Sequence, residues 1–274
     1  NIGIGSCATQ NDSEESVREC FDILESFSSS LVGKELSLNE NTFGWIASEL
    51  PLNTEANAAV DIAIHDLWAK REKKTLVDTL GKKHLCFDTS ITIGVASLEK
   101  TIEMAKKHIG NGFSILKIKI GDCVEEDIER MKALFELKPE KIKIRVDANR
   151  GYSKEELIKF YEKTLHLGLE LIEQPMEVDQ NNEMLYFPEE IRKICVADES
   201  LQNFDDAVRL LKEPKPFGVF NIKLMKCGGV FAAKKIASLA EENGIELMWG
   251  CFDESKISIS AALHTALSCE NTQY

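Results

Sequence analysis

Seven short apolar runs in this chain each end in a charged or small residue, and these residues recur at a nearly constant spacing. Consecutive members are separated by 27, 28, 26, 25, 25 and 27 residues. The members are Thr92, Lys119, Asp147, Glu173, Asp198, Lys223 and Gly250. Because a buried parallel strand normally reads as a continuous apolar run, polar strand ends at a fixed repeat strongly constrain the fold.

From Leu85 onwards the apolar runs alternate with amphipathic helical patterns, which indicates parallel βα units. The predicted strands are Phe87 to Ile93, Ile115 to Ile120, Ile142 to Asp147, Leu169 to Glu173, Ile194 to Asp198, Val219 to Lys223 and Ile245 to Gly250. The predicted helices include Leu98 to His108, Val124 to Leu137, one beginning at the capping box Ser153-Lys154-Glu155-Glu156, a short one near Pro188 to Lys193, Asp205 to Leu211, Val230 to Glu242 and Lys256 to Leu267. Seven consecutive units favour an α/β fold of the closed-barrel type over an open doubly wound sheet. An eighth strand is expected to begin near Thr272.

The residues before Leu85 do not show this alternation. They open with a glycine-rich, strand-like segment, Asn1 to Gly5, and continue with an amphipathic helix from Ser13 to about Leu31. A second helix carries an apolar stripe between Ala56 and Trp68. His65 lies beside that stripe, and we assign it no functional role.

The composition narrows the function classes. Thirty-three basic against 46 acidic residues give a net charge of −13 with no basic cluster, which disfavours nucleic-acid binding. No apolar run is long enough to span a membrane. The eight cysteines form no C-x-x-C pair, which argues against a zinc knuckle or a disulfide framework. We therefore expect a cytoplasmic, soluble protein with reduced thiols.

Asp147, Glu173 and Asp198 end successive predicted strands. Parallel neighbours point the same way, so these carboxylates are expected to converge on one rim of the sheet, where barrel enzymes place their active sites. Three adjacent carboxylates repel one another unless a cation compensates them. Oxygen ligands suit Mg²⁺ or Mn²⁺, and the alternative is that the carboxylates cap helices or pair with basic residues.

Lys117 and Lys119 share one face of a strand, and Lys223 ends a strand beyond the carboxylates. Two neighbouring ammonium groups lower each other's pKa, and with burial one lysine is expected to titrate near roughly 7–8. Lysines on both sides of a metal-bound carboxylate suit removal and return of the proton α to that carboxylate. The alternative for each lysine alone is an exposed strand end.

Five motifs together resemble the enolase superfamily, in its muconate-lactonizing subgroup, and most closely the dipeptide epimerases. The motifs are Leu-Lys-Ile-Lys-Ile-Gly (116–121), Arg-Val-Asp-Ala-Asn-Arg-Gly-Tyr (145–152), Ile-Glu-Gln-Pro (172–175), Ala-Asp-Glu-Ser (197–200) and Asn-Ile-Lys-Leu-Met-Lys-Cys-Gly-Gly (221–229). The resemblance covers nearly the whole chain, and the motifs follow the family's order.

The resemblance implies a modified (β/α)7β TIM-like barrel at residues 85–274, apparently lacking its eighth strand, and part of an α+β capping domain at residues 1–84. It implies Mg²⁺ on Asp147, Glu173 and Asp198, with Lys119 and Lys223 as the acid/base pair. It also places Lys117 against the substrate carboxylate and Thr92 in contact with the substrate. The implied partner is a small-molecule dipeptide, and a homo-oligomer is compatible with the sequence.

The segment Met-Trp-Gly-Cys-Phe-Asp-Glu-Ser (248–255) departs from the family pattern. Relatives acting on Ala-Glu usually carry an apolar residue where Asp253 stands, and Cys251 falls at a substrate-contacting position. A carboxylate there would repel a glutamate side chain and attract an ammonium or guanidinium group. We therefore predict a dipeptide whose second residue is Lys or Arg, unless Asp253 turns away to pair with Lys256.

Other functions would also account for part of this residue pattern. An o-succinylbenzoate synthase, a cycloisomerase or an N-acyl amino acid racemase would use the same lysines and carboxylates. The dipeptide branch carries an Asp-x-Asp on the eighth strand, where this sequence ends. A non-catalytic metal-binding barrel would not need both lysines, and an aldolase-like Schiff-base lysine would not need three carboxylates.

Overall fold

The computed structural model describes residues 1–9, 13–50 and 53–274, and these ranges contain twelve α-helices and seven strands. The helices are α1 Glu14–Leu31, α2 Glu40–Glu49, α3 Thr54–Glu72, α4 Leu76–Leu80, α5 Leu98–Gly110, α6 Val124–Leu137, α7 Lys154–Thr164, α8 Glu189–Ile194, α9 Phe204–Leu210, α10 Leu224–Cys227, α11 Val230–Glu242 and α12 Lys256–Ala266. The strands are β1 Ser90–Ile93, β2 Ile115–Lys119, β3 Lys143–Asp147, β4 Leu171–Glu173, β5 Cys195–Ala197, β6 Val219–Ile222 and β7 Glu246–Trp249. Two short 3-10 helices span Leu165–Leu167 and Val178–Tyr186.

The seven strands form one sheet in chain order, β1 to β7, and strands β1 to β6 pair in parallel. The predicted α/β class and the repeating βα units are confirmed. The first strand begins at Ser90 instead of Phe87, because pairing starts where Ser90 meets Ile115, the first residue of β2. The strand expected near Thr272 is represented by a single parallel bridge between Leu247 and Thr272.

The chain divides into two compact units. The first comprises Asn1–Cys86, Gln202–Arg209 and Asn221–Gln273, and the second comprises Phe87–Leu201, Leu210–Phe220 and Tyr274. The domain boundary after residue 84 stays a prediction. No helix in the described ranges has both the length and the apolar character needed to cross a membrane.

The second unit has an apolar core on one face of its sheet. Ile93, Leu116, Ile118, Ile144 and Val146 are all fully buried, and the strand register places them on the same face. Most of the alternate residues of β2 and β3 are polar and lie on the opposite face, so these two strands alternate between apolar and polar residues instead of reading as continuous apolar runs.

The first unit has an apolar cluster between its helices, built on Phe27, Phe43, Ile46 and Ile64. Helix α2, which the sequence reasoning missed, contributes two of these side chains. Gly44 in its middle lowers the intrinsic helix propensity, so packing and the Asn39 cap, which accepts from the Thr42 N–H, have to stabilise it. Residues 1–9 have no regular secondary structure, so the strand predicted at Asn1 to Gly5 is wrong.

A buried carboxylate joins α3 to the start of α11 within the first unit. Asp61 accepts hydrogen bonds from the backbone N–H groups of Val230, at 2.7 Å, and Phe231, at 3.1 Å. Its Oδ1 also lies 3.1 Å from Nδ1 of His65, which is itself buried. His65 therefore belongs to a helix-capping pair, consistent with assigning it no role in the reaction.

Candidate active site

The second unit brings two of the predicted metal ligands side by side at the ends of adjacent strands. Asp147, the last residue of β3, pairs in register with Glu173, the last residue of β4, and with Lys119 on its other side. Asp198 immediately follows β5. All three carboxylates are buried, with exposed fractions of 1%, 2% and 3% for Asp147, Glu173 and Asp198. Carboxylates this deeply buried require compensating charge.

Two lysines of β2 supply part of that charge. Lys117 Nζ lies 2.8 Å from Asp147 Oδ2 and 2.7 Å from Glu173 Oε2. Lys119 Nζ donates to the same Asp147 oxygen at 2.8 Å and also to Asn149 Oδ1. The lysines lie on one strand face, as predicted, and both reach the carboxylates.

The pKa shifts follow from this arrangement. Burial raises the pKa of Glu173, and the charges of Asp147 and Asp198 add to the effect against the opposing charge of Lys117. Burial would also raise the pKa of Asp147, but Lys117 and Lys119 outweigh it and lower that pKa. The repulsion among the carboxylates is therefore only partly relieved by the lysines.

The expectation of a lowered lysine pKa is wrong for Lys117. Burial favours the neutral amine, but the charges of Glu173 and Asp147 outweigh burial and raise the pKa of Lys117. The neighbouring ammonium group of Lys119 does not reverse this result, because two carboxylates lie within hydrogen-bonding distance of Lys117. Lys117 is thus suited to holding negative charge in place and not to removing a proton.

The carboxylates fit a hard divalent cation by their chemistry. They offer buried oxygen donors from neighbouring strands, and the pKa of Glu173 is raised by burial and by the charges of Asp147 and Asp198, which a cation would offset. In the described ranges, no group of three or more His, Cys, Asp and Glu side chains is arranged to hold a metal ion as it stands. At this rim, Lys117 Nζ bridges the Asp147 and Glu173 oxygens.

Gln174 fixes the geometry between β4 and β5, and the sequence reasoning gave it no role. Its buried Oε1 accepts from the backbone N–H groups of Asp198, at 3.0 Å, and Ser200, at 3.1 Å. Its Nε2 donates to the Met176 carbonyl oxygen and the Ser200 hydroxyl. Because Gln174 directly follows Glu173, its side chain sets the position of the Asp198 backbone relative to Glu173.

Asn149 is a second residue that the sequence reasoning missed. Its φ of +42° lies in the left-handed region, its N–H donates to Asp147 Oδ1 at 3.0 Å, and its side chain accepts from Lys119. Its Nδ2 also donates to Glu199 Oε1 at 3.3 Å. Asn149 therefore orients both Asp147 and Lys119. Its position inside the motif at 145–152 was the available signal.

The first unit carries Lys223, Cys251 and Asp253 on the segments after β6 and β7. Lys223 directly follows β6, and its Nζ lies 4.9 Å from the centre of the Phe252 ring. Cys251 and Asp253 are exposed, as is Thr92 in the second unit. Lys226 is buried and donates to the Asn221 carbonyl oxygen at 3.1 Å, which fits a structural role.

Gly250 is the last member of the repeat, and the space around it explains why this position holds a glycine. A Cβ at this position would lie 2.6 Å from Asn221 Oδ1 and 2.9 Å from Lys223 Cε. Real Cβ contacts are not this short, so a larger residue would displace the lysine stem or the asparagine amide. The small residue at this strand end makes room for Lys223.

This chain matches known protein families over nearly its whole length. Residues 100–274 match the model described as enolase C-terminal domain-like, and residues 2–81 match the mandelate racemase / muconate lactonizing enzyme, N-terminal domain. A protein of Desulforapulum autotrophicum named L-Lys-D/L-Arg epimerase is 45% identical over 94% of this chain and 67% of its own length. A protein of the same name from Methylococcus capsulatus is 42% identical over 89% of this chain and 68% of its own length.

Solved structures agree with these sequence matches. The crystal structure of a dipeptide epimerase from Methylococcus capsulatus, complexed with Mg and the dipeptide L-Arg-D-Lys, superposes with a TM-score of 0.94. The two chains are 38% identical, and the match covers 99% of this chain and 77% of the other. The predicted fold class, a modified (β/α) barrel with a capping domain, is therefore confirmed.

Proposed function

Because this chain belongs to the enolase superfamily, in the group of mandelate racemase and muconate lactonizing enzyme, we propose that it is a Mg²⁺-dependent dipeptide epimerase. The reaction inverts the α-carbon of the C-terminal residue of the dipeptide by a 1,1-proton transfer. The observation that carries the proposal is the cluster of Lys117, Lys119, Asp147 and Glu173, in which lysines and buried carboxylates meet at adjacent strand ends.

Asp147, Glu173 and Asp198 are the proposed ligands of the metal. Mg²⁺, when bound, supplies positive charge that stabilises the negative charge growing on the substrate carboxylate as the α-proton leaves. Lys117, whose pKa is raised by its carboxylate neighbours, contributes a permanent positive charge toward the same carboxylate. We assign Thr92 a contact with the bound dipeptide.

Lys119 and Lys223 are the proposed acid/base pair. Inversion requires one group to remove the α-proton and a second group to deliver a proton to the opposite face of the carbon. A lysine in its amine form accepts the proton at Nζ, and a lysine in its ammonium form donates one. Asn149, which accepts a hydrogen bond from Lys119, orients the amine that we assign to one of these steps.

Deuterium exchange tests this function. We expect the protein to incorporate solvent deuterium at the α-carbon of the C-terminal residue of L,L-dipeptides in D₂O, with formation of the L,D product. Chelation should abolish the exchange and added Mg²⁺ should restore it, with Mn²⁺ as a parallel arm. The Asp147→Asn variant should bind Mg²⁺ more weakly, since it loses one anionic ligand.

The alternative functions give different outcomes in the same assay. Exchange of N-acyl amino acids without exchange of dipeptides would assign the protein to a racemase with the same chemistry. Mg²⁺ binding without α-proton exchange of any carboxylate substrate would instead indicate a non-catalytic metal-binding barrel. Either result would overturn the proposed epimerase function.

We further propose that the preferred dipeptide has a cationic second residue, Lys or Arg. Asp253 is exposed, and within the described residues it makes no ion pair with Lys256. A carboxylate in this position attracts an ammonium or guanidinium group. The names of the two relatives above, which refer to Lys and Arg, support the same class of substrate. We assign Cys251, also exposed, to the same substrate contact.

Removing the charge of Asp253 should change selectivity more than catalytic capacity. We expect Asp253→Asn to lower kcat/KM for Xaa-Lys and Xaa-Arg by about 10- to 100-fold, since a hydrogen bond to a charged group contributes about 1.5–3 kcal/mol. Dipeptides with a neutral second residue should lose little. Glu242→Gln, which removes an exposed carboxylate at the end of α11, is the matched control. A library screen in which wild type prefers Xaa-Glu over Xaa-Lys would contradict the assignment.

A further inference from the structure

The aromatic ring of Phe252 lies against the ammonium group of Lys223. The distance from Lys223 Nζ to the ring centre is 4.9 Å, within the roughly 6 Å over which a cation is attracted to an aromatic face. Phe252 is half-buried, and it belongs to the segment that follows β7. Its neighbours Cys251 and Asp253 are the exposed residues assigned above to substrate contact, whereas Phe252 contacts the lysine.

The backbone around Phe252 is held at several points. The Phe252 N–H donates to Glu254 Oε1 at 3.0 Å, which fixes the turn on its C-terminal side. On the other side, the Gly250 N–H donates to the Ile222 carbonyl oxygen at 3.0 Å and ties the segment to β6. Ser255 then caps α12 by accepting from the Ile257 N–H. The ring is therefore carried by a segment attached both to the strand that presents Lys223 and to a helix.

The stem of Lys223 runs through a narrow space beside Gly250. A Cβ on Gly250 would be 2.9 Å from Lys223 Cε and 2.6 Å from Asn221 Oδ1. The lysine stem thus passes close to a bare backbone, and its ammonium end reaches the face of Phe252. A long and flexible side chain with three rotatable donors is restricted to few conformations by such contacts.

We propose that Phe252 is a positioning residue for Lys223, holding the amino group where it exchanges a proton with the α-carbon of the substrate. This inference rests on the proposed function, in which Lys223 is one member of the acid/base pair. The ring acts through its face, and the carboxylate of Glu254 acts through the backbone of Phe252. The partner base Lys119 is positioned by different groups, Asp147 and Asn149.

Because different residues position Lys223 and Lys119, a change at Phe252 should affect the two epimers of a dipeptide differently. Epimerisation in either direction needs both bases, whereas exchange of the α-proton with solvent needs only the base that removes it. Poor positioning of Lys223 should slow epimerisation in both directions. Exchange without inversion should persist for the epimer whose proton is removed by Lys119, so the ratio of exchange to inversion should rise for that epimer alone.

The variants are Phe252→Leu and Phe252→Tyr, measured with both epimers of one dipeptide in D₂O. Leucine keeps an apolar side chain but has no aromatic face, and we expect kcat for inversion to fall by about 3- to 30-fold. Tyrosine keeps the face and should retain activity close to wild type. Phe135→Leu is the matched control, because it removes a half-buried ring of α6 whose centre also lies 4.9 Å from a lysine Nζ, that of Lys138, and it should leave the ratio of exchange to inversion unaltered. Mg²⁺ titration and circular dichroism report whether each variant is folded.

The outcomes separate this inference from the proposed function. If wild type exchanges no dipeptide α-proton, the epimerase proposal fails and the inference fails with it. If wild type epimerises dipeptides but Phe252→Leu leaves the exchange-to-inversion ratio unchanged for both epimers, only the inference is overturned. A higher KM at constant kcat would likewise overturn it, because it would assign Phe252 to substrate binding. If Phe252→Leu fails to fold, Phe252→Trp and Phe252→Met replace it. The inference is supported if the ratio of exchange to inversion is unchanged in Phe252→Trp, which keeps an aromatic face, and changed in Phe252→Met, which has none. Equal ratios in these two variants would contradict it.

Discussion

Replacement of Lys119 by alanine is expected to lower the rate of dipeptide epimerisation by at least about 100- to 10,000-fold, the range that a positioned acid or base contributes. The Lys119 amino group lies 2.8 Å from Asp147 and also contacts Asn149. Among the described residues, no other amino group makes this pair of contacts. Lys117 does not substitute for it, because Glu173 and Asp147 raise the pKa of Lys117 and keep it protonated. The loss should therefore appear in kcat.

Solvent exchange distinguishes loss of one base from general damage. In Lys119→Ala, the epimer whose proton is removed by Lys223 should still exchange with D₂O, while the other epimer should not. Lys223→Ala should show the reverse pattern. Lys106→Ala, which removes an exposed lysine on α5, is the control for an effect of charge alone. An unchanged epimerisation rate in Lys119→Ala or Lys223→Ala would end the two-base account.

The juxtaposition of Asp147 and Glu173 could be predicted from the sequence because it depends only on the backbone. Sequential parallel strands run in phase, so residues one repeat apart fall side by side, as the register of β3 with β4 confirms. Helices with complete apolar stripes or capping boxes were predicted for the same local reason; the Ser153–Glu156 capping box is one example.

The electrostatics of the site could not be predicted in this way. The sequence places Lys117 and Lys119 two residues apart, and from that spacing alone each lysine should lower the pKa of the other. The pKa of Lys117 is raised instead, because its side-chain torsions bring Nζ within 2.7–2.8 Å of Glu173 and Asp147 on the next two strands. Gln174 and Asn149 were missed since their roles depend on backbone turns with positive φ, +33° and +42°, that the motifs do not reveal.

The role of Asp61 could not be predicted from the sequence either, because its main hydrogen-bond partners lie far away along the chain. Asp61 caps α11 through the N–H groups of Val230 and Phe231, 169 and 170 residues away. Gly229, just before that helix, has a φ of +117°, and a Cβ there would lie 2.5 Å from Asp61 Cβ. The two glycines that follow the Lys223 segment therefore include one that admits a carboxylate from α3.

Removing this buried carboxylate should destabilise the protein strongly. Asp61→Ala leaves the N–H groups of Val230 and Phe231 without their acceptor and removes the charge beside the buried His65, which keeps only the Asp61 carbonyl oxygen, and we expect the free energy of unfolding to fall by about 3–5 kcal/mol. Asp61→Asn retains an acceptor oxygen and should lose less, about 1–2 kcal/mol. Urea unfolding measures both values. Glu72→Ala, an exposed change in the last turn of the same helix, should stay within about 0.5 kcal/mol of wild type.

The pH dependence of this loss identifies the charge of the pair as its cause. Burial would lower the pKa of His65, but the charge and hydrogen bonds of Asp61 outweigh burial and raise that pKa above its ordinary value of 6.5. A raised pKa in the folded state means that the stabilisation is fully present below about pH 6.5 and is lost as the pH rises through the folded pKa. The stability difference between wild type and Asp61→Asn should therefore shrink with increasing pH. A constant difference would show that Asp61 acts only as a helix cap, because capping N–H groups do not titrate in this range.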